Sequence, residues 1–197
     1  MQLHKRDVVA KAAAILDSYG IADLTMRRVA RELDVTPGAL YWHFANKQEL
    51  LGAVADRVLA PACADPEPTG WRMRIEVVCR ALRDALLSHT DGAELVSASF
   101  AAGQSRAVEQ ILGVLAEAAG EAGVDAAHRV QAARTVLHYV LGATADEQSR
   151  LQWDAAGAEL PEHQSVLSGD PSAGFAFGLR LLTDGLAVQR VSSTESG

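Results

Sequence analysis

Apolar residues recur at three- and four-residue intervals along most of the chain, and no segment alternates in twos as a strand would. Val9, Ala12, Ala13, Leu16 and Tyr19 line one face of a helix over Lys5 to Tyr19, which Gly20 ends at a C-cap. Thr25 is an N-cap for a second helix carrying Val29, Ala30 and Leu33. Asp34 and Val35 make a turn. Thr36 then caps a third helix, with Pro37 at its first position, where a missing N–H costs nothing. This short helix runs to Phe44, with Leu40 and Phe44 facing inward and Tyr41, Trp42 and His43 on the other side. Asn46, with Glu49 three residues on, forms a capping box for a fourth helix through Leu50, Leu51, Val54, Val58 and Leu59 to about Ala60. The pattern is a helix-turn-helix braced by one helix and followed by another.

Residues 61–70, PACADPEPTG, hold three of the six prolines and predict a linker. Helical periodicity returns over Trp71 to Thr90 through Ile75, Val78, Leu82, Ala85 and Leu86, and His89-Thr90-Asp91-Gly92 breaks it. Further helices are expected near Ala93 to Ala101 and Ser105 to Ala122, with a long one over 126–153 through Val130, Ala133, Leu137, Val140, Leu141 and Thr144. Residues 154–174 predict a polar loop with one helical turn at His163 to Leu167. Asp170 and Pro171 open a last helix to about Arg190, and the end, SSTESG, is expected to be disordered. The fold class is therefore all-α. The expected domains are a DNA-binding head, 1–47, a connecting helix, 48–60, a helical body, 61–191, and a tail, 192–197.

A formal charge of −7 argues at first against a nucleic-acid partner, but the charge is unevenly spread. Residues 1–60 carry eight Lys or Arg against seven Asp or Glu, so the acidity lies in the remainder. A contact face alone need be positive, so the split fits a DNA-binding head on an acidic body. Cys63 and Cys79 make no Cys-x-x-Cys pair and no zinc spacing, which predicts two reduced thiols, one in a loop and one in a helix, and leaves a redox role open. No signal-peptide layout and no apolar run of about 18 residues occurs, so a cytoplasmic protein without membrane contact is expected. No enzymatic motif is present: there is no His-Glu-x-x-His, no Gly-x-Ser-x-Gly and no phosphate-cradling glycine loop. An enzyme and a helical interaction module without DNA binding stay as alternatives.

The string LTMRRVARELDVTPGALYWHFANKQELL, residues 24–51, resembles the DNA-binding domain of TetR-family bacterial regulators. Thr25, Ala30, Val35, Leu40, Tyr41, His43, Phe44, Lys47 and Leu50 carry the resemblance. A weaker likeness to the tetracycline-repressor branch continues through Trp71, ALLSHTDGAEL (85–95), LHYVLGATADEQ (137–148) and FAFGL (175–179).

For the head, the resemblance implies that Arg27 reaches a base edge and that Arg28, Thr36, Tyr41, Trp42, His43 and Lys47 contact DNA. Solvated arginines and core aromatics are the plainer readings. Pro37, Gly38 and Ala39 should face the major groove without polar atoms, leaving contacts to thymine methyls. For the body it implies a ligand pocket from Trp71, Val78, Leu82, Leu86, Val96, Phe100, Leu137 and Tyr139, with His89, Gln104 and His138 as polar groups. Ordinary core is the alternative for each. Where tetracycline repressors place a metal-binding histidine, an arginine, an asparagine and a phenylalanine, this chain has Val96, Phe100, Val78 and Leu82. No metal or other cofactor is therefore expected, and the implied effector is a small apolar organic molecule. The resemblance also implies a homodimer on palindromic double-stranded operator DNA, most simply as a repressor. Its interface would come from the last two long helices through Leu137, Val140, Gly174, Gly178, Leu179, Leu182, Gly185 and Leu186. Packing within one chain is the alternative for the glycines.

Overall fold

In the computed structural model, the described residues are 3–63, 70–158, 161 and 169–192, the last four as backbone alone. They form helices α1 (Lys5–Asp23), α2 (Met26–Glu32), α3 (Pro37–Tyr41), α4 (Lys47–Leu59), α5 (Trp71–Leu87), α6 (Gly92–Ala101), α7 (Arg106–Ala122), α8 (Arg129–Ala155) and α9 (Pro171–Ser192). A short 3₁₀ turn, Ala60–Cys63, follows α4. No strand occurs among these residues, and the all-α expectation holds. The expected turn at His163 to Leu167 and the tail from 193 onward lie outside the described residues.

The head is a small bundle. Gly20 breaks α1 with a positive φ of 77°, where the sequence placed a helix end. Val8, Ala12, Ile15 and Leu16 from α1 pack on Leu24, Val29, Ala30, Leu40 and Phe44, all essentially without solvent exposure. Tyr19 departs from expectation: it is exposed, with the Arg28 guanidinium 3.7 Å from its ring centre. α3 is also shorter than expected. Trp42 caps it, and a turn carries the chain through His43 to the buried Phe44.

α4 leaves the head and packs into the body against α6 and α7. Its residues Val54, Ala55, Val58 and Leu59 are buried on that side. The linker expected from residue 61 begins instead with the 3₁₀ turn, which places Cys63 half-buried with its thiol 3.8 Å from the Ala107 carbonyl. α5 ends at Leu87, three residues before its expected end, and Ser88 caps it. α8 begins at Arg129, after His128, and extends two residues past the expected end.

A paired charge ties α5 to α8 through this apolar body. Arg83 of α5 meets Glu147 of α8 through Nε–Oε2 at 2.9 Å and Nη2–Oε1 at 2.7 Å, with both side chains nearly buried. The paired, planar geometry is what lets two charges leave water together. The Cys79 thiol lies fully inside the body, and burial pushes its pKa up to about 12.

Candidate nucleic-acid interface

Sequence determines the local geometry here through caps. Thr25 Oγ1 accepts the Arg28 N–H at 3.2 Å and starts α2. The Val35 N–H donates to the Ala30 carbonyl at 3.0 Å, closing α2, while Asp34 takes a positive φ of 54° that reverses the chain. Thr36 is extended, Pro37 opens α3, and Leu40 anchors that helix in the core. Asn46 Oδ1 accepts the Glu49 N–H at 2.8 Å, and Glu49 Oε2 accepts the Ala45 N–H at 2.8 Å. The Glu49 bond thus returns one residue earlier than a strict capping box would. Lys5 Nζ closes the corner 3.2 Å from Glu49 Oε1 and 4.6 Å above the Phe44 ring. The Ala45 amide, then Lys5, hold the Glu49 carboxyl below the ordinary glutamate value.

With Leu40 and Phe44 inside, the other face of α3 has nowhere to go but outward. Thr36, Pro37, Gly38, Tyr41 and Trp42 are exposed, and Ala39, His43 and Lys47 are half-buried. Trp42 is 91% exposed. Leaving so much aromatic surface in water forgoes a few kcal/mol of burial, which the fold itself does not require. Arg27 of α2 is exposed, with no ion pair among the described residues. Every member of the DNA set expected from the sequence reaches solvent, and one of them is tied within the head. Arg28 bonds Asp23, lies over Tyr19, and has a buried Nε without a partner, so it fastens α2 to the end of α1.

Among the described residues, those expected to bind ligand divide between the body core and its surface. Val78, Leu82, Leu86, Val96 and Leu137 are packed in the body core, and the half-buried Trp71 packs against it. His89 lies 2.9 Å from Asp17 of the head, and Gln104 is exposed beyond α6. Phe100 and His138 share a cleft of about 480 Å³ with Ser97, Ala101, Arg134, Leu141 and Gly142. The Arg134 guanidinium sits 5.3 Å from the Phe100 ring, and the His138 ring 5.8 Å away. Tyr139 faces elsewhere. It donates to the Phe175 carbonyl at 2.7 Å, and burial raises its pKa.

The expected dimer set divides in the same way. Leu137, Val140 and Leu179 are buried within the chain, and Gly178 is filled from inside: a methyl there would stand 2.2 Å from Tyr139 Oη. Gly174 and Gly185 are open, with Leu182 and Leu186 half-buried. Sequence periodicity missed the residues that do point outward from α9, namely Phe177, Leu181 and Val188. Their four- and seven-residue spacing is the signal that would have found them. Among the described residues no group of three His, Cys, Asp or Glu is placed to hold a metal ion, and no helix is long and apolar enough to cross a membrane.

Known proteins share this architecture. The family model for bacterial regulatory proteins of the tetR family matches residues 8–54, and the model for the tetracyclin repressor-like C-terminal domain matches residues 64–190. The tetracycline repressor protein class A from transposon 1721 of Escherichia coli is 32% identical over 96% of this chain and 93% of its own. The crystal structure of Mycobacterium smegmatis BioQ is 65% identical, covers 95% of this chain and 99% of its own, and superposes with a TM-score of 0.89. A crystal structure of BioQ with its natural double-stranded DNA operator is 62% identical over 94% of this chain and 99% of its own, with a TM-score of 0.83.

Proposed function

We propose that this chain, which belongs to the TetR family of DNA-binding transcriptional regulators, is a repressor that grips a palindromic operator as a homodimer and is released by a small organic effector. The observation that carries this reading is the outward face of α3. Trp42, Tyr41, Pro37 and Gly38 stand in solvent on a helix whose other side is locked in the core, with Arg27 and Lys47 at its margins. The operator complex of BioQ, similar to this chain over nearly its whole length, supports the same partner here.

In this reading residues 1–47 are the head, 48–60 connect, and 61–191 bind effector and dimerise. Arg27 reads a base edge, where a guanidinium suits guanine O6 and N7. Thr36, Tyr41, His43 and Lys47 hold phosphates, and Pro37, Gly38, Ala39 and Trp42 meet apolar groove surface. Arg28 supports Arg27 from behind. Two heads related by a two-fold axis place their α3 helices about 34–36 Å apart, in successive major grooves.

The effector would be mostly apolar, resting on Phe100, Ala101 and Leu141, with Arg134 and His138 meeting its polar end. The test is an electrophoretic shift of a labelled duplex from the chain's own upstream region over a salt series. Binding that weakens steeply with salt is expected. A shift unaffected by competitor DNA of unrelated sequence supports the repressor; loss to any competitor contradicts it.

A further inference from the structure

The turn between α5 and α6 joins the head to the body, with the Asp91 carboxylate bonded to both. Asp91 caps α6 with a left-handed φ of 52°, a conformation sparsely used by residues other than glycine. Its Oδ2 accepts the Ile21 N–H of the head at 2.9 Å, and its Oδ1 accepts Nε2 of Gln152 on α8 at 3.0 Å. Gly20 makes this approach feasible: a methyl there would stand 2.6 Å from Asp91 Oδ2, on a backbone already at φ 77°. Beside it, the Asp17 carboxylate lies 2.9 Å from His89 Nδ1, and the Thr90 hydroxyl donates to the Asp17 carbonyl at 3.0 Å.

The body grips the same turn. The buried Gln148 donates to the carbonyls of Leu86, at 3.1 Å, and His89, at 2.8 Å, and accepts the Ala93 N–H at 3.1 Å. Gln148 and Gln152 are one helical turn apart on α8. α8 thus holds the turn, and the turn holds α1.

A second joint lies at the other end of α6. Asp56 of α4 accepts the Ser105 hydroxyl at 2.7 Å and the Ala107 N–H at 3.0 Å, and Gly52 sits directly against the Gln104 carbonyl. One attachment would leave the head free to rock about it. Two, separated by the roughly 15 Å length of a ten-residue helix, fix its direction.

We propose that Asp91 is a positioning residue for DNA reading, transmitting the placement of α8 to the angle of the head. This deepens the repressor reading, since α8 also carries Arg134 and His138 of the cleft. Effector seated there would reach the head through Gln148, Gln152 and Asp91 without touching it.

Spin labels at Ala14→Cys and Glu117→Cys, both exposed sites, in a Cys63→Ser/Cys79→Ala background, report the head–body distance by pulsed electron resonance. With labelled chains diluted in excess unlabelled protein, so that only the distance within one protomer is read, the parent should give one narrow distribution and Asp91→Ala a broad one, with body melting unchanged. Gln152→Ala, which cuts only the α8 side, should broaden it less. Asp91→Asn tolerates the left-handed backbone but offers one acceptor oxygen, so it should fall between. On genomic fragments that the parent retains, Asp91→Ala should bind about tenfold more weakly, an ordinary size for coupling between sites. An Asp91→Ala distribution as narrow as the parent's, or a broadened one with undiminished DNA affinity, would overturn the proposal. The distance measurement needs no DNA, so a parent that retains no fragment would sink the repressor reading while the joint was still tested.

Discussion

Of two adjacent arginines, Arg27 carries no ion pair among the described residues, whereas Arg28 is held by Asp23 and Tyr19. Arg27→Ala should cost about 1–3 kcal/mol in operator binding and relax preference at one base pair per half-site. Lys47→Ala should weaken all duplexes alike and flatten the salt dependence. Arg28→Ala should instead lower the melting temperature of the head, which calorimetry separates from a binding defect. Sequence alone could not divide these arginines, because their duties depend on Asp23 and Tyr19, whose approach is tertiary. Glu49 adds a pH dependence. Its folded pKa is depressed, so its contribution is present above the ordinary value of 4.5 and is lost as pH falls through the lower folded value. Glu49→Gln should therefore flatten the acid limb of the stability curve below about pH 4.5, followed by circular dichroism. For the cysteines, burial at Cys79 and partial burial at Cys63 raise both thiols. Iodoacetamide at pH 8 should label Cys63 slowly and Cys79 only in denaturant, counted by mass spectrometry.

Helix positions were legible because apolar spacing and caps are local: Thr25, Thr36–Pro37, Asn46 and Ser105 each bound the helix they promised. What an element does once formed was less so. Gly178 was expected to face a second subunit, yet its missing side chain admits Tyr139 of the same chain. Gly178→Leu should thus destabilise the protomer through overpacking, by roughly 1–3 kcal/mol or more, and says nothing of the dimer. The outward stripe of Phe177, Leu181 and Val188 is the better probe. Leu181→Glu should shift sedimentation toward monomer while helicity is kept; an unchanged dimer would move the interface off α9. Between α5 and α8, Glu147→Ala should cost about 3–5 kcal/mol by stranding a buried Arg83, whereas Arg83→Met with Glu147→Leu should cost far less. Denaturant unfolding distinguishes the two.

At the scale of the molecule, an acidic body carries a head whose exposed aromatic face was legible because Leu40 and Phe44 must point inward, so Tyr41 and Trp42 must not. Which body residues line a cleft was not legible, because a buried Val78 or Leu82 looks the same in sequence whether it lines a cavity or fills one. The apolar replacements at the aligned tetracycline positions, with Val96 fully buried, lead us to expect no magnesium-dependent tetracycline binding by calorimetry. The claim on which everything else depends is that two copies read symmetric DNA. Selection of bound duplexes from a randomised pool by the purified full-length protein tests it most directly. An inverted repeat with half-site centres about one helical turn apart, or a multiple of it, is the result expected. Recovery of a single unrepeated motif, or of no enriched sequence, would contradict the account.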